Sequence, residues 1–321
     1  VKRLSILVVL SLVFLLALGA GSALAATNGP HGNYSADTDA CGQCHSTHAG
    51  NAANLIKFTL SGSYNAVYET CTACHSDTGS SKYDVINGVI YDPSANAGAG
   101  GYWAASGGGF DNVLTGGEPA ADLTGVVATT SSHDVKGTGE IFAPGGDSTT
   151  GNGFTEFSCS NCHDPHGTSN SRQLISATTV TITVDPTTEL KDEAIKYEAG
   201  INAFCGSCHT DFNVGTGSGD TAAGTYSTHT RHAVGVDPAT YPGTNAASWT
   251  TGYLSQPSAT LPLQFDGVNQ QLTCLTCHYA HGTAATNIVT FDRVSNFGGT
   301  SNSSTLLRQN NRGVCESCHN K

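Results

Sequence analysis

The sequence predicts a fold that is mostly irregular coil, with short helices at recurring sites and a few short β-hairpins. Two observations predict it. The first is composition: 39 of 321 residues are glycine and only 12 % are charged, and stretches such as 94–109 and 145–153 carry almost no periodic apolar signal. Such a chain buries little apolar surface of its own, and composition alone would lean toward disorder. The second is a motif. Cys-x-x-Cys-His occurs six times and uses all 12 cysteines: Cys41, Cys44 and His45; Cys71, Cys74 and His75; Cys159, Cys162 and His163; Cys205, Cys208 and His209; Cys274, Cys277 and His278; Cys315, Cys318 and His319.

Each motif reads as a covalent c-type haem site. Two thiols three residues apart lie on one side of a helical turn, where they can form thioethers to the two vinyl groups of one porphyrin, and the next residue brings an imidazole beneath the iron. A disulfide framework or structural zinc would also use paired cysteines. Neither explains the histidine: with 13 His in 321 residues, six in six by random placement has odds on the order of a few in a billion. The predicted fold class is therefore that of a multihaem cytochrome c, mostly coil, with short helices at the Cys-x-x-Cys-His sites and a chain of six haems as core. At about 49 residues per haem, each porphyrin supplies a rigid apolar plate pinned by covalent and iron bonds.

Some local structure is legible. Val85-Ile86-Asn87-Gly88-Val89-Ile90 places Asn-Gly between β-branched pairs, a strong hairpin signal. Thr179 to Val184 alternates and reads as a half-buried strand. Asp185 and Pro186 stand where an N-cap and first helical residue belong, which predicts a helix through Glu189, Leu190, Ala194, Ile195 and Tyr197 toward Cys205. Trp103 and Trp249 are expected to pack on haem or anchor loops.

Residues 1–25 read as a signal peptide. Lys2 and Arg3 precede an apolar run from Leu4 to Leu18, and Ala23-Leu24-Ala25 fits a small-x-small cleavage site. The run is short for a membrane span, so no span is expected after cleavage. Export fits thioether attachment, which in bacteria occurs outside the cytoplasmic membrane. Beyond Ala25, 11 basic residues face 25 acidic ones, a formal balance of −14. So acidic a chain is a poor partner for nucleic acid or anionic membranes and favours cationic partners or metal ions.

Successive first cysteines are 30, 88, 46, 69 and 41 residues apart, and each odd motif continues as His-x-x-His: His45 to His48, His163 to His166, His278 to His281. Three dihaem modules follow, at 26–90, 125–215 and 216–321, with 91–124 a Gly-rich linker or surface loop. Seven histidines remain beyond the six proximal ones: His31, His48, His133, His166, His229, His232 and His281. Methionine is absent, so no iron can take a Met ligand and all six can be bis-histidine. An extension histidine lies too near its own proximal ligand to clamp the same porphyrin. Within a module the simplest partner is the even haem, leaving the upstream histidine for the odd one; a haem of a neighbouring subunit is the alternative.

Bis-histidine iron is coordinatively saturated, which points to electron transfer rather than catalysis. No catalytic residue is therefore assigned. A multihaem reductase of oxyanions or nitrogen compounds would need an open iron position, and all six motifs are regular. A discrete periplasmic or cell-surface shuttle shares the chemistry of a conductor and differs in assembly.

The run Cys-x-x-Cys-His-x-x-His at Cys41 to His48, the string Cys159-Ser160-Asn161-Cys162-His163-Asp164-Pro165-His166-Gly167, the motif at Cys205 to Asp211 followed by Arg231-His232, the motif at Cys274 to His281 and the last motif at Cys315 resemble one family. It is the OmcS-like family of extracellular hexahaem cytochromes, a polymerising group with doubled motifs. The string around Cys159 is shared by many doubled-motif cytochromes. The resemblance implies little regular secondary structure, head-to-tail stacking into extracellular filaments, and long-range electron transfer to other cytochromes or extracellular metal oxides. It also implies that His48 ligates the fifth haem, at Cys274, Cys277 and His278, of the adjacent subunit.

Overall fold

The computed structural model describes residues 31, 38–50, 53–57, 64–115, 119–137, 139–143, 153–184, 195–210, 234–235, 237, 261–265, 270–285, 306–310 and 313–317. The segment 1–25, residues 185–194, His229, His232, Trp249, Cys318 and His319 lie outside them. Two compact units are present, one of Val1–Lys57 with Pro165–Gly167, the other of Phe58–Asp164 with Thr168–Lys321. The described part of the first unit is a 3-10 turn at Thr38–Gln43, a second at Ala53–Leu55, and a bridge that sets His45 opposite Ile56.

The second unit carries short antiparallel pairings separated by coil, as the glycine-rich composition leads one to expect. Strands β1 (Tyr83–Asp84), β2 (Val89–Asp92) and β3 (Gly101–Ala104) form a three-stranded sheet in that order. Strands β4 (Asn112–Leu114) and β5 (Val126–Ala128) pair, as do β7 (Ile141–Phe142) and β8 (Gly153–Phe154). Strand β6 (Ser131–Ser132) pairs with the distant β13 (Gly282–Thr283), and β11 (Gln264–Phe265) with β12 (Gln270–Gln271). Among the described residues no helix is long and apolar enough to cross a membrane.

The predicted hairpin forms with a different register. Tyr83 pairs with Ile90 and Asp84 with Val89, so Val85 to Gly88 make a four-residue loop instead of a two-residue turn. The cause is Asp84, buried at 6 % exposure. Its carboxylate accepts from the Ile86 and Asn87 amides at 3.0 and 3.1 Å and from Asn87 Nδ2 at 2.6 Å. Gly88 closes the loop at φ +61°, where a side chain would meet the Gly108–Gly109 backbone. Freed from the strand, Val85 and Ile86 pack on a cluster of Tyr68, Phe110, Val135 and Phe157, which Cys159 and Cys162 also join. Asp84→Ala strands these buried donors and is expected to cost about 2–3 kcal/mol in denaturant unfolding of the holoprotein; an unchanged midpoint would refute the role given to the carboxylate.

Two expectations are corrected here. Ile195 and Tyr197 lie not on a helix but on β10 (Ile195–Ala199), antiparallel to β9 (Thr181–Val184) with Ile195 opposite Val184. Their spacing of two suits a strand as well as a helix turn, and β9 gains its ladder partner this way. The stretch 91–124, expected as linker or loop, contains β3, β4 and a 3-10 turn at Leu123–Gly125. Trp103 sits on β3 opposite Ile90. A second cluster gathers Leu174, Val180 and Ile201, flanked by Tyr197, Phe204 and Leu275.

Candidate functional site

At each of the four motifs whose two cysteines and histidine are all described in the larger unit, and at the one in the smaller unit, the chain makes the same tight turn. The histidine amide donates to the carbonyl of the first cysteine, at 2.9 Å for His45, His75, His163 and His278 and 3.1 Å for His209. Capping fixes where the turn begins. Asn65 accepts from the Tyr68 amide to start the Ala66–Thr72 helix that carries Cys71, and Thr273 and Thr276 cap each other reciprocally around Cys274–Cys277. The eleven described cysteines form no disulfide with one another. The turn therefore presents both sulfurs and the imidazole in the arrangement that one porphyrin edge and its iron require.

Cys44 and Cys74, assigned from the sequence as the second thioether positions of the first two motifs, are both half-buried on these turns, whereas Cys41 is exposed. Their amides donate to the carbonyls of Cys41 and Cys71 at 3.2 Å each, which closes the turn between the two cysteines of each pair. Their own carbonyls differ in partner: Cys44 accepts from the Lys57 amide at 2.9 Å, and Cys74 from the Ser81 amide at 3.0 Å. In the even motif the chain returns through Gly79, where any side chain would collide with the Cys74 carbonyl.

The odd motifs share a further element that motif spacing did not reveal. The amides of Ser46, Asp164 and Tyr279, each next after the proximal histidine, donate to the carbonyls of Leu55, Gln173 and Leu306 at 2.7–2.8 Å. Two residues further on, the amides of Lys57, Ile175 and Arg308 return to the carbonyls of the second cysteines, Cys44, Cys162 and Cys277, at 2.9–3.0 Å. This strap runs with positive φ at Asn54 and Leu55, at Arg172 and Gln173, and at Leu306. Side chains other than glycine rarely adopt that conformation, at a cost of about 1–3 kcal/mol each, so its recurrence at one place in three repeats marks a constraint. In the first two repeats the strap starts nine residues after the histidine. Aligning Asn54-Leu55-Ile56-Lys57 with Arg172-Gln173-Leu174-Ile175 is the signal that could have found it.

The strap orients the proximal ring. His45 Nδ1 donates to the Asn54 carbonyl at 2.9 Å and His163 Nδ1 to the Arg172 carbonyl at 2.8 Å; in an even motif, His75 Nδ1 donates to Tyr83 at 3.1 Å. Three of the spare histidines are anchored alike: His31 to Pro165 at 3.0 Å, His133 to Ala280 at 2.6 Å and His281 to Gly108 at 3.3 Å. A carbonyl can only accept, so each Nδ1 carries the proton and each Nε2 lone pair is left for a metal. Burial holds the His133 pKa below its usual value, favouring the neutral ring that binds iron. The loop at Ser106–Phe110, inside the stretch read as linker, holds His281 from three sides. Gly107 accepts from its amide at 2.8 Å, Gly108 from its ring, and Phe110 lies against the ring at 4.6 Å.

Among the described residues, three pairs of histidine rings then face one another: His45 and His166 at 6.1 Å between ring centres, His209 and His133 at 6.2 Å, His163 and His281 at 6.3 Å. Imidazole nitrogens bind a metal at roughly 2 Å, so two rings on opposite sides of one iron have centres about 6.2 Å apart. The residues present thus fit bis-histidine haem. The pairing differs from the within-module rule, which joined extension histidines to even motifs and upstream histidines to odd ones. Here the extensions His166 and His281 face odd motifs, and the upstream His133 faces an even one. The reason is local: His278 leaves the turn in extended conformation, at φ −118° and ψ 149°, which carries the following residues away from their own attachment turn. His48 is exposed and has no hydrogen-bond or ring partner among the described residues.

Cysteines of successive motifs also meet. Cys71 lies beside Cys159, and Cys205 beside Cys274; the interaction with that neighbour, and burial after it, push Cys71 and Cys205 up, while the same interaction, against the effect of burial, leaves Cys159 and Cys274 lowered. Burial, with Cys208 alongside, pushes Cys162 up to about 11. The second, third, fourth and fifth motifs are therefore neighbours in sequence order.

A protein-family model described as "Doubled CXXCH motif" matches residues 31–80 and 152–214. The match supports a multihaem c-type cytochrome. No curated protein and no solved structure matches the chain.

Proposed function

We propose that the chain is a hexahaem electron-transfer cytochrome and the subunit of an extracellular head-to-tail filament. One observation carries the reading: each described extension histidine that faces a proximal ring faces that of the preceding odd motif. His166 of the third motif faces His45 of the first, and His281 of the fifth faces His163 of the third. Continued by one step, the histidine for the fifth haem, on His278, comes from the odd motif that follows, which is the first motif of the next subunit. Its extension is His48, exposed and without partner among the described residues. A heterologous contact of this kind does not close on itself and generates a fibre. The family resemblance points to the same donor and acceptor.

Within the subunit the residues hold, orient and shield. The attachment turns would hold the porphyrin edges, paired imidazoles, both carbonyl-anchored in the case of His163 and His281, would take the two faces of an iron, and the closeness of Cys71 to Cys159 and of Cys205 to Cys274 brings successive attachment turns together. Haem supplies reversible one-electron chemistry at iron when bound. Histidine at both axial positions would leave no place for a substrate, which supports conduction over reduction of an oxyanion. The acidic surface favours cationic partners, other cytochromes or metal oxides outside the cell.

Electron microscopy of material shed by producing cells should show filaments containing this chain, and the reduced protein should not bind carbon monoxide rapidly. Discrete particles would replace the filament by a shuttle; rapid stoichiometric binding of carbon monoxide to one haem would replace conduction by catalysis.

A further inference from the structure

Arg172 and Arg308, the two described arginines, meet at one residue of the Gly-rich loop. Arg172 donates from Nη1 to the Tyr197 hydroxyl at 2.7 Å and from Nη2 to Ser106 Oγ at 3.3 Å. Arg308 donates from Nε to the Leu275 carbonyl at 2.6 Å and from Nη2 to the Ser106 carbonyl at 3.0 Å, and its guanidinium lies over the Tyr279 ring at 4.2 Å. Arg308 is half-buried and meets no carboxylate among the described residues. A half-buried guanidinium such as that of Arg308, with no carboxylate against it, calls for an anion from outside the polypeptide.

The same few residues hold the axial histidines of the third motif. The Arg172 carbonyl anchors His163, and the residues after Ser106, Gly107 and Gly108, anchor His281. An anion placed by this cluster therefore belongs to the group those two histidines ligate. We propose that Arg172, Arg308 and Ser106 seat the propionate carboxylates of the haem attached at Cys159 and Cys162. The inference rests on reading that motif as a haem site. Guanidinium suits the task because its planar fork of donors matches a carboxylate and its charge persists at any physiological pH. The seat also sets a property of the haem: positive charge beside it favours the reduced, more negative state and raises its potential above that of a haem without such neighbours.

The test uses the holoprotein as secreted, with Arg308→Gln and Arg308→Lys variants followed by spectroelectrochemical titration. The glutamine variant is expected to keep six low-spin haems while one component of the titration moves to lower potential, and the lysine variant to recover most of that shift. Six low-spin haems with a titration curve superimposable on wild type would overturn the seat. Where the glutamine variant fails to mature, redox-difference infrared spectra of wild type grown with ¹⁵N-arginine decide. Label-sensitive guanidinium bands support the inference, and their absence overturns it. Loss of haem from the Cys159 peptide of wild type, read by peptide mass, would overturn the underlying site and the inference with it.

Discussion

Replacing His281 by alanine is expected to turn one haem of the six from low-spin to high-spin and to open one carbon monoxide site per chain. The ring centre of His281 lies 6.3 Å from that of His163, so the affected haem is that of Cys159 and Cys162. The within-module rule assigns His281 instead to the haem of Cys315 and Cys318, and a second variant separates the two. In a chain carrying Cys315→Ala and Cys318→Ala, which lacks that last haem, His281→Ala still produces the high-spin fraction under the geometric pairing. It produces none if the last haem was the partner. The effect is large because a ligand is removed outright, and Phe110, Gly107 and Gly108 supply no side chain that could replace it.

His48→Ala is expected to abolish filaments while leaving a folded subunit. His48 is exposed and makes no hydrogen bond or ring contact among the described residues, so its loss should leave subunit unfolding within about 0.5 kcal/mol of wild type. Assembly should fail by far more, because one iron–imidazole bond per interface disappears and the haem at His278 turns high-spin. Filaments of unchanged length with unchanged spectra would end the proposal that this histidine bridges subunits. Filaments that persist with one high-spin haem per subunit would keep the ligand assignment and move the strength of the interface elsewhere.

The attachment turns and the scarcity of regular structure were legible in the sequence because both are local: five residues suffice for each turn, and glycine content limits the rest. The Val85–Gly88 loop was half legible, since Asn-Gly announces a turn but only the burial of Asp84 sets its length. Ile195 and Tyr197 were misread because a spacing of two satisfies either a strand or the edge of a helix, and what decides is whether a neighbouring strand needs a partner. The iron pairings were out of reach for a different reason. His45 and His166 are brought together across most of two modules, and spacing along the chain has no bearing on which rings face one another. The strap was visible in principle, as a repeated aliphatic step after each His-x-x-His, but its third copy begins only at Leu306, after an insertion that hides the period.

The thiol contacts between motifs bear on how such a chain is made. Cys71 reaches Cys159, and Cys205 reaches Cys274, across the boundaries between successive modules. In an oxidising compartment, a polypeptide that collapsed to this arrangement before maturation would offer each of these sulfurs the wrong companion, and cross-linking would compete with thioether formation. Ligation of porphyrin therefore has to outrun collapse. Synthesis from the amino end favours this order, because Cys71 emerges 88 residues before Cys159 and can be occupied before its neighbour exists. The long stretch between them acts as a delay, and shortening it is a route to misassembly that leaves every ligand in place.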